Sequence, residues 1–177
     1  MPPHNTKLER GRDMKTKRVA YIGITVALAM ILSFVESQIP ALVAIPGVKV
    51  GLPNLVIVFL LYKAGAKEAV LVNFVRVVLS ALLFGNLQTL TFSLAGAALS
   101  LLGMIILKKT EKFSPIAVSV TGGVLHNVGQ IAAACLWTAT PQIVYYLPVL
   151  LISGIVAGVI IGLVGGMLIN RLERIKY

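Results

Sequence analysis

Acidic residues are nearly missing from this chain. Only 6 of its 177 residues are Asp or Glu, and the one aspartate, Asp13, stands near the N-terminus. No aspartate-rich motif is therefore present to hold magnesium against a diphosphate. Cysteine is reduced to Cys135, which lies in an apolar stretch. That excludes a disulfide framework and a cysteine-rich metal site, and leaves Cys135 as a small buried hydrophobe. No G-x-x-x-x-G-K-S/T phosphate loop occurs, since the glycines at 162, 165 and 166 sit in a long apolar run. No serine or cysteine has a base and an acid placed to activate it. His126 has no second histidine or carboxylate at ligand spacing, so zinc is not expected. These absences predict neither a metal nor a cofactor, no catalysis by this chain, and no ATP hydrolysis of its own.

What is present is apolar. Hydrophobic residues make up 58% of the chain and charged residues 12%, where soluble domains carry about 25% charge. Apolar segments at residues 19–34, 52–63, 68–84, 88–107, 115–138 and 144–169 predict an all-α, integral membrane bundle of six helices. The first run lacks a small-residue cleavage site and ends at Glu36-Ser37-Gln38, so it is read as a retained helix rather than a signal peptide. Ser114-Pro115 has the form of a helix start, and Thr140-Pro141 breaks the chain before the last segment.

The net charge of +10 does not form a nucleic-acid face, because the basic residues sit in tails and loops. Their distribution sets an orientation instead. Of the 16 lysines and arginines, only Lys49 falls in an outside connection and Arg76 within a helix when the N-terminus is placed inside. The expected organisation is a basic cytoplasmic arm over residues 1–18, a six-helix membrane domain over 19–170, and a basic cytoplasmic tail over 171–177.

Polar groups inside the apolar segments are few and patterned. Asn73, Arg76 and Ser80 share a face of the third helix; Gly123, His126, Asn127 and Gln130 share one on the fifth; Asn86 and Gln88 open the fourth. An arginine at membrane depth costs about 2.5–3.5 kcal/mol even on lenient insertion scales, so Arg76 must face a partner or a polar cavity. Its planar fork of donors suits a carboxylate or phosphate. Glu36, the one acid on the outer half, offers either a structural pair for Arg76 or a further site residue.

Residues 49–54, Lys-Val-Gly-Leu-Pro-Asn, interrupt the second segment after Pro40 and Pro46. Broken backbone at this depth is tolerated only where it is buried in protein or lines a cavity. It is either a kinked loop that starts a helix or, with Lys49 and Asn54, part of a binding site. Small residues recur at four-residue spacing: Gly154, Gly158, Gly162 and Gly166 near the end, and Gly23 with Ala27, alongside Thr25, Ala29 and Ser33, in the first helix. Such stripes admit a neighbouring backbone, either within the chain or from a partner subunit.

The run at residues 49–56 and the His126-Asn127-Val128-Gly129-Gln130 stretch resemble the family called Gx transporters, also labelled heptaprenyl diphosphate synthase component I. The resemblance covers residues 15–173 and is similar in overall pattern to the substrate-binding S components of energy-coupling factor (ECF) transporters. It implies a six-helix S-component fold in a prokaryotic cell membrane. It also implies an outward-facing site for a small solute such as a vitamin or cofactor precursor. Transport would come from a T subunit docked on a helix-one stripe and from ATPase subunits. The family label also implies a different role, a non-catalytic membrane accessory subunit of a prenyl diphosphate synthase; a partner in a membrane redox assembly is a third.

Overall fold

The structure, a computed structural model, describes residues 7–39 and 50–174. Among these it is all helical: α1 (Lys7–Gln38), α2 (Asn54–Lys63), α3 (Ala66–Phe84), α4 (Leu87–Lys109), α5 (Pro115–Thr138) and α6 (Leu147–Arg174), with a 3₁₀ turn at Pro141–Tyr146. Four segments are long and apolar enough to cross a membrane unaided: Met14–Gln38, Leu87–Lys109, Pro115–Thr138 and Pro141–Arg171. The chain is a multi-pass membrane protein. α3 carries Lys67, Glu68 and Arg76 in its 19 residues, and α2 has only 10 residues.

Helix boundaries follow local chemistry. The Ser114 hydroxyl accepts from the Ala117 amide at 3.3 Å, and Pro115 occupies the first turn of α5, where its missing N–H costs nothing. α4 ends on Lys108 and Lys109, whose charges complement the carbonyl end of the helix. Gly65, at φ 108°, turns the chain between α2 and α3, a conformation that side chains with a Cβ resist. α1 differs from expectation. It starts at Lys7 rather than at residue 19, because no proline follows Pro3 in that stretch to stop a helix.

α5 is the centre of packing. It lies between α4 and α6, and glycines bring the backbones together on both sides. A Cβ built on Gly129 would stand 2.7 Å from the Ala95 carbonyl oxygen, and one on Gly123 would stand 2.5 Å from that of Gly154. α3 bridges α4 to α1, and α2 wedges between α3 and α6. Around α2 the interior is solid: Ile57, Val58, Leu60 and Leu61 pack with Val72, Met104, Val118, Ile161 and Ile169. This core occupies the half of the bundle nearer Lys63. The other half is hollow.

Candidate functional site

The hollow is a partly open cavity of about 700 Å³ bordered by α1, α3, α4, α5 and α6, with Gly51, Pro53 and Asn54 at the start of α2 beneath it. Ligand pockets typically measure about 300–1,000 Å³. α2 creates it by being short. Ten residues rise about 15 Å, against about 30 Å of hydrocarbon, so among the described residues no helix stands above Asn54 between α3 and α6.

The turn that leads into α2 is tied to α1. Gly51, at φ 78°, donates its amide to Glu36 Oε1, and the Gly51 carbonyl accepts from the Asn54 amide at 2.9 Å. Glu36 therefore holds the backbone turn. It lines the same cavity as Arg76, but the two form no ion pair; the ion pair among the described residues is Arg18–Glu68 at 2.6 Å. Of the two roles open to Glu36, the structural pair with Arg76 is not made.

Arg76 stands half-buried in the wall formed by α3. Its Nε and Nη2 both donate to Asn73 Oδ1, at 3.2 and 2.7 Å. One turn of helix separates the two residues, so the asparagine braces the guanidinium from below. Nη1 keeps both its hydrogens without a partner among the described residues. Neighbouring hydroxyls are differently engaged: Ser33 donates to the Ala29 carbonyl at 2.9 Å and Ser80 to Met30 Sδ at 3.5 Å. The remaining guanidinium donors, facing a cavity, are suited to an anion.

Across the cavity lie His126 and Asn127. Asn127 Nδ2 donates to the Leu150 carbonyl, which also accepts from Ser153 Oγ at 2.9 Å. The amide reaches this carbonyl only because Gly154 is bare; a Cβ there would lie 2.7 Å from Asn127 Nδ2. Asn127 thus clamps the first turns of α6 to α5.

Glu36, Asn54, Asn73, Arg76, His126 and Asn127 meet in one cavity. Three expected site residues do not. Asn86 caps α4, its Oδ1 accepting from the Thr89 amide at 2.8 Å and the Thr89 hydroxyl at 2.7 Å. Gln88 is exposed in the next turn. Gln130 packs against bare Gly96 on α4, outside the cavity; a Cβ on Gly96 would lie 3.0 Å from its Cγ. Lys49, with the rest of residues 40–49, lies outside the described residues.

The α6 stripe, expected as a partner-binding surface, packs within the chain. A Cβ on Gly158 would lie 2.5 Å from Val120 Cα, and one on Gly162 the same distance from Ile116 Cα. Gly154 meets Gly123 in the same way. Gly23 and Ala27 stand on the exposed face of α1, whereas Thr25, Ala29 and Ser33 turn inward.

Sequence reasoning missed the far wall: Val149, Ile152, Val156 and Ile160 of α6 line the cavity, as do Ser93 and Ser100 of α4. The i, i+7 spacing of the two serines was visible. The α6 residues carry no signal in an apolar helix, because lipid-facing and cavity-facing isoleucines look alike. Nothing among curated proteins or solved structures matches the chain. The family described as heptaprenyl diphosphate synthase component I matches over residues 25–168, and with most of its length covered the chain belongs to that family.

Proposed function

We propose that this protein is the substrate-binding membrane subunit, or S component, of an ECF-type importer, capturing a small polar or anionic solute. In this reading the chain crosses the membrane six times and both termini are cytoplasmic. The observation that carries it is the cavity whose wall presents the Nη1 hydrogens of Arg76, braced by Asn73, opposite His126 and Asn127. A half-buried cation with donors left over is expensive in a membrane, and a bound anion offsets that cost.

The orientation by basic residues puts the solid half of the bundle at the cytoplasmic side and the cavity at the outer side, where an import subunit collects its solute. The exposed Gly23–Ala27 face of α1 is the surface left for a T subunit. The ATPase subunits supply the energy, since this chain has no phosphate loop. Gentle purification with native mass spectrometry tests the reading. T and ATPase subunits should copurify and a bound anion should be weighed; a preparation with neither overturns it.

The family description favours a second reading, a membrane accessory subunit of a prenyl diphosphate synthase. Copurification of a soluble prenyl synthase in place of ATPase subunits selects it.

A further inference from the structure

Among the described residues that line the cavity, two carry charge, Glu36 on α1 and Arg76 on α3, and the charges are opposite. Opposite charges that share a cavity in a membrane protein ordinarily pair, because each is costly alone. These two do not. They are close enough for the field of Glu36 to act on Arg76, yet no ion pair joins them. A neutral group holds each one instead. The Gly51 amide donates to Glu36 Oε1, and Asn73 Oδ1 accepts from Nε and Nη2 of Arg76. The atoms left over are complementary: Glu36 Oε2 accepts from no described residue, and Arg76 Nη1 donates to none.

α1 and α3 run side by side in the same direction, joined by Arg18 and Glu68, then Met30 and Ser80, then Phe34 and Phe84. Glu36 comes just after Phe34, whereas Arg76 precedes Phe84 by about two turns of helix. The guanidinium therefore lies deeper in the cavity than the carboxylate. Ser33 and Ser80 line the wall between the two levels. The Ser80 hydroxyl is held only by the Met30 thioether at 3.5 Å, a weak acceptor, so it is free to turn towards a solute.

A simple anion on Arg76 would be repelled by Glu36, and a simple cation on Glu36 would be repelled by Arg76. A molecule carrying both charges is attracted by both groups. We infer that the solute is a zwitterion. Its anionic group, carboxylate or phosphate, meets Nη1 of Arg76, and its positive group, an ammonium or another cationic N–H donor, meets Oε2 of Glu36. This rests on the reading of the cavity as a solute site and adds the class of solute. Gly51 and Asn73 keep the two charges apart and in place before the solute arrives, which lowers the cost of binding.

Calorimetric titration of the full chain in nanodiscs, corrected with empty nanodiscs, tests this. The probes are ω-amino carboxylates and ω-aminoalkyl phosphates with spacers of increasing length, each set against the amine-free anion of equal length. At the best spacer the amine should raise affinity by about tenfold or more. Glu36→Gln keeps an oxygen for the Gly51 amide, so the turn should survive, but removes the charge. It should erase the gain and tighten the amine-free anions, which are no longer repelled. Arg76→Gln should weaken every member of both series. Stronger binding of the carboxylates would name one anionic group and stronger binding of the phosphates the other, and either agrees with the inference. Arg76-dependent binding with no gain from the amine at any spacer would overturn the zwitterion while leaving an anion site. So would a gain that survives in Glu36→Gln. A Glu36→Gln protein that loses both series alike would overturn it too, by making Glu36 a scaffold residue. Absence of any Arg76-dependent binding would overturn the solute site as well.

Discussion

The two halves of this bundle share five long helices and put them to opposite ends. The half around α2 is a dry, close-packed core of Ile57, Leu60, Leu61 and Met104. The half beyond Asn54 holds a partly open cavity of about 700 Å³ lined in part by Arg76, Asn73, His126 and Asn127. The difference comes from one element. α2 is 10 residues long, so it fills the space between α3 and α6 over half their length and leaves the rest open. Stability should therefore reside mainly in the filled half and in the α4–α5–α6 seams, and binding in the open half.

The largest effect is expected at a seam. Gly158→Leu would drive a side chain into the Val120 backbone, 2.5 Å from where its Cβ would stand. Backbone cannot yield as a flexible side chain does, so little folded protein should be recovered, judged by monodisperse yield. The control is Gly23→Leu, in open space on α1, which should leave the yield unchanged. A well-folded Gly158→Leu protein would mean that α5 and α6 do not meet there.

Leu60→Ala empties the filled half and should cost about 2–5 kcal/mol of stability. Ser80→Ala in the open half should shift the melting temperature little, since its partner is Met30 Sδ at 3.5 Å. Equal losses from the two would erase the distinction between the halves.

Arg76→Gln should reverse that pattern. It removes a charged donor worth about 1.5–3 kcal/mol of binding, some 10–150-fold in affinity, while thermal stability holds or rises because a buried charge is gone. Arg76→Lys retains charge but loses the fork, and should fall between Gln and wild type. A large drop in stability with affinity preserved would move Arg76 from the site to the scaffold.

Asn127→Ala joins the halves. It strips the clamp from the Leu150 carbonyl but leaves Ser153 Oγ on it. A loss of about 1–2 kcal/mol is expected, with faster hydrogen exchange confined to the first turns of α6. The smallest effect belongs to Arg18→Ala. Its bond to Glu68 is exposed on the arginine side, at 60%, and such pairs contribute under about 1 kcal/mol. A larger fall would show that the ion pair anchors α1 to α3.

The sequence by itself determined the class of molecule and much of its layout. Runs of apolar residues long enough for a bilayer leave little choice but helices, because backbone groups in lipid must bond within their own segment. Breaks at Pro141 and after Lys109, and the Ser114-Pro115 start, were local and hence readable. Arg76 and Asn73 were legible as residues facing a polar interior for a similar reason: polar groups are costly at this depth, so their presence carries information, and both line the cavity. Asn86, Gln88 and Gln130 carried the same signal, yet a cap and close packing against Gly96 absorb two of them and Gln88 faces outward. Only the tertiary structure decided what the glycines of α6 face, which of Gly51 and Arg76 claims Glu36, and that one side of α6 lines a cavity. Those are outcomes of which helix lies beside which. In a chain where nearly every surface is apolar, hydrophobic pattern cannot distinguish a neighbouring helix, lipid and an enclosed hollow.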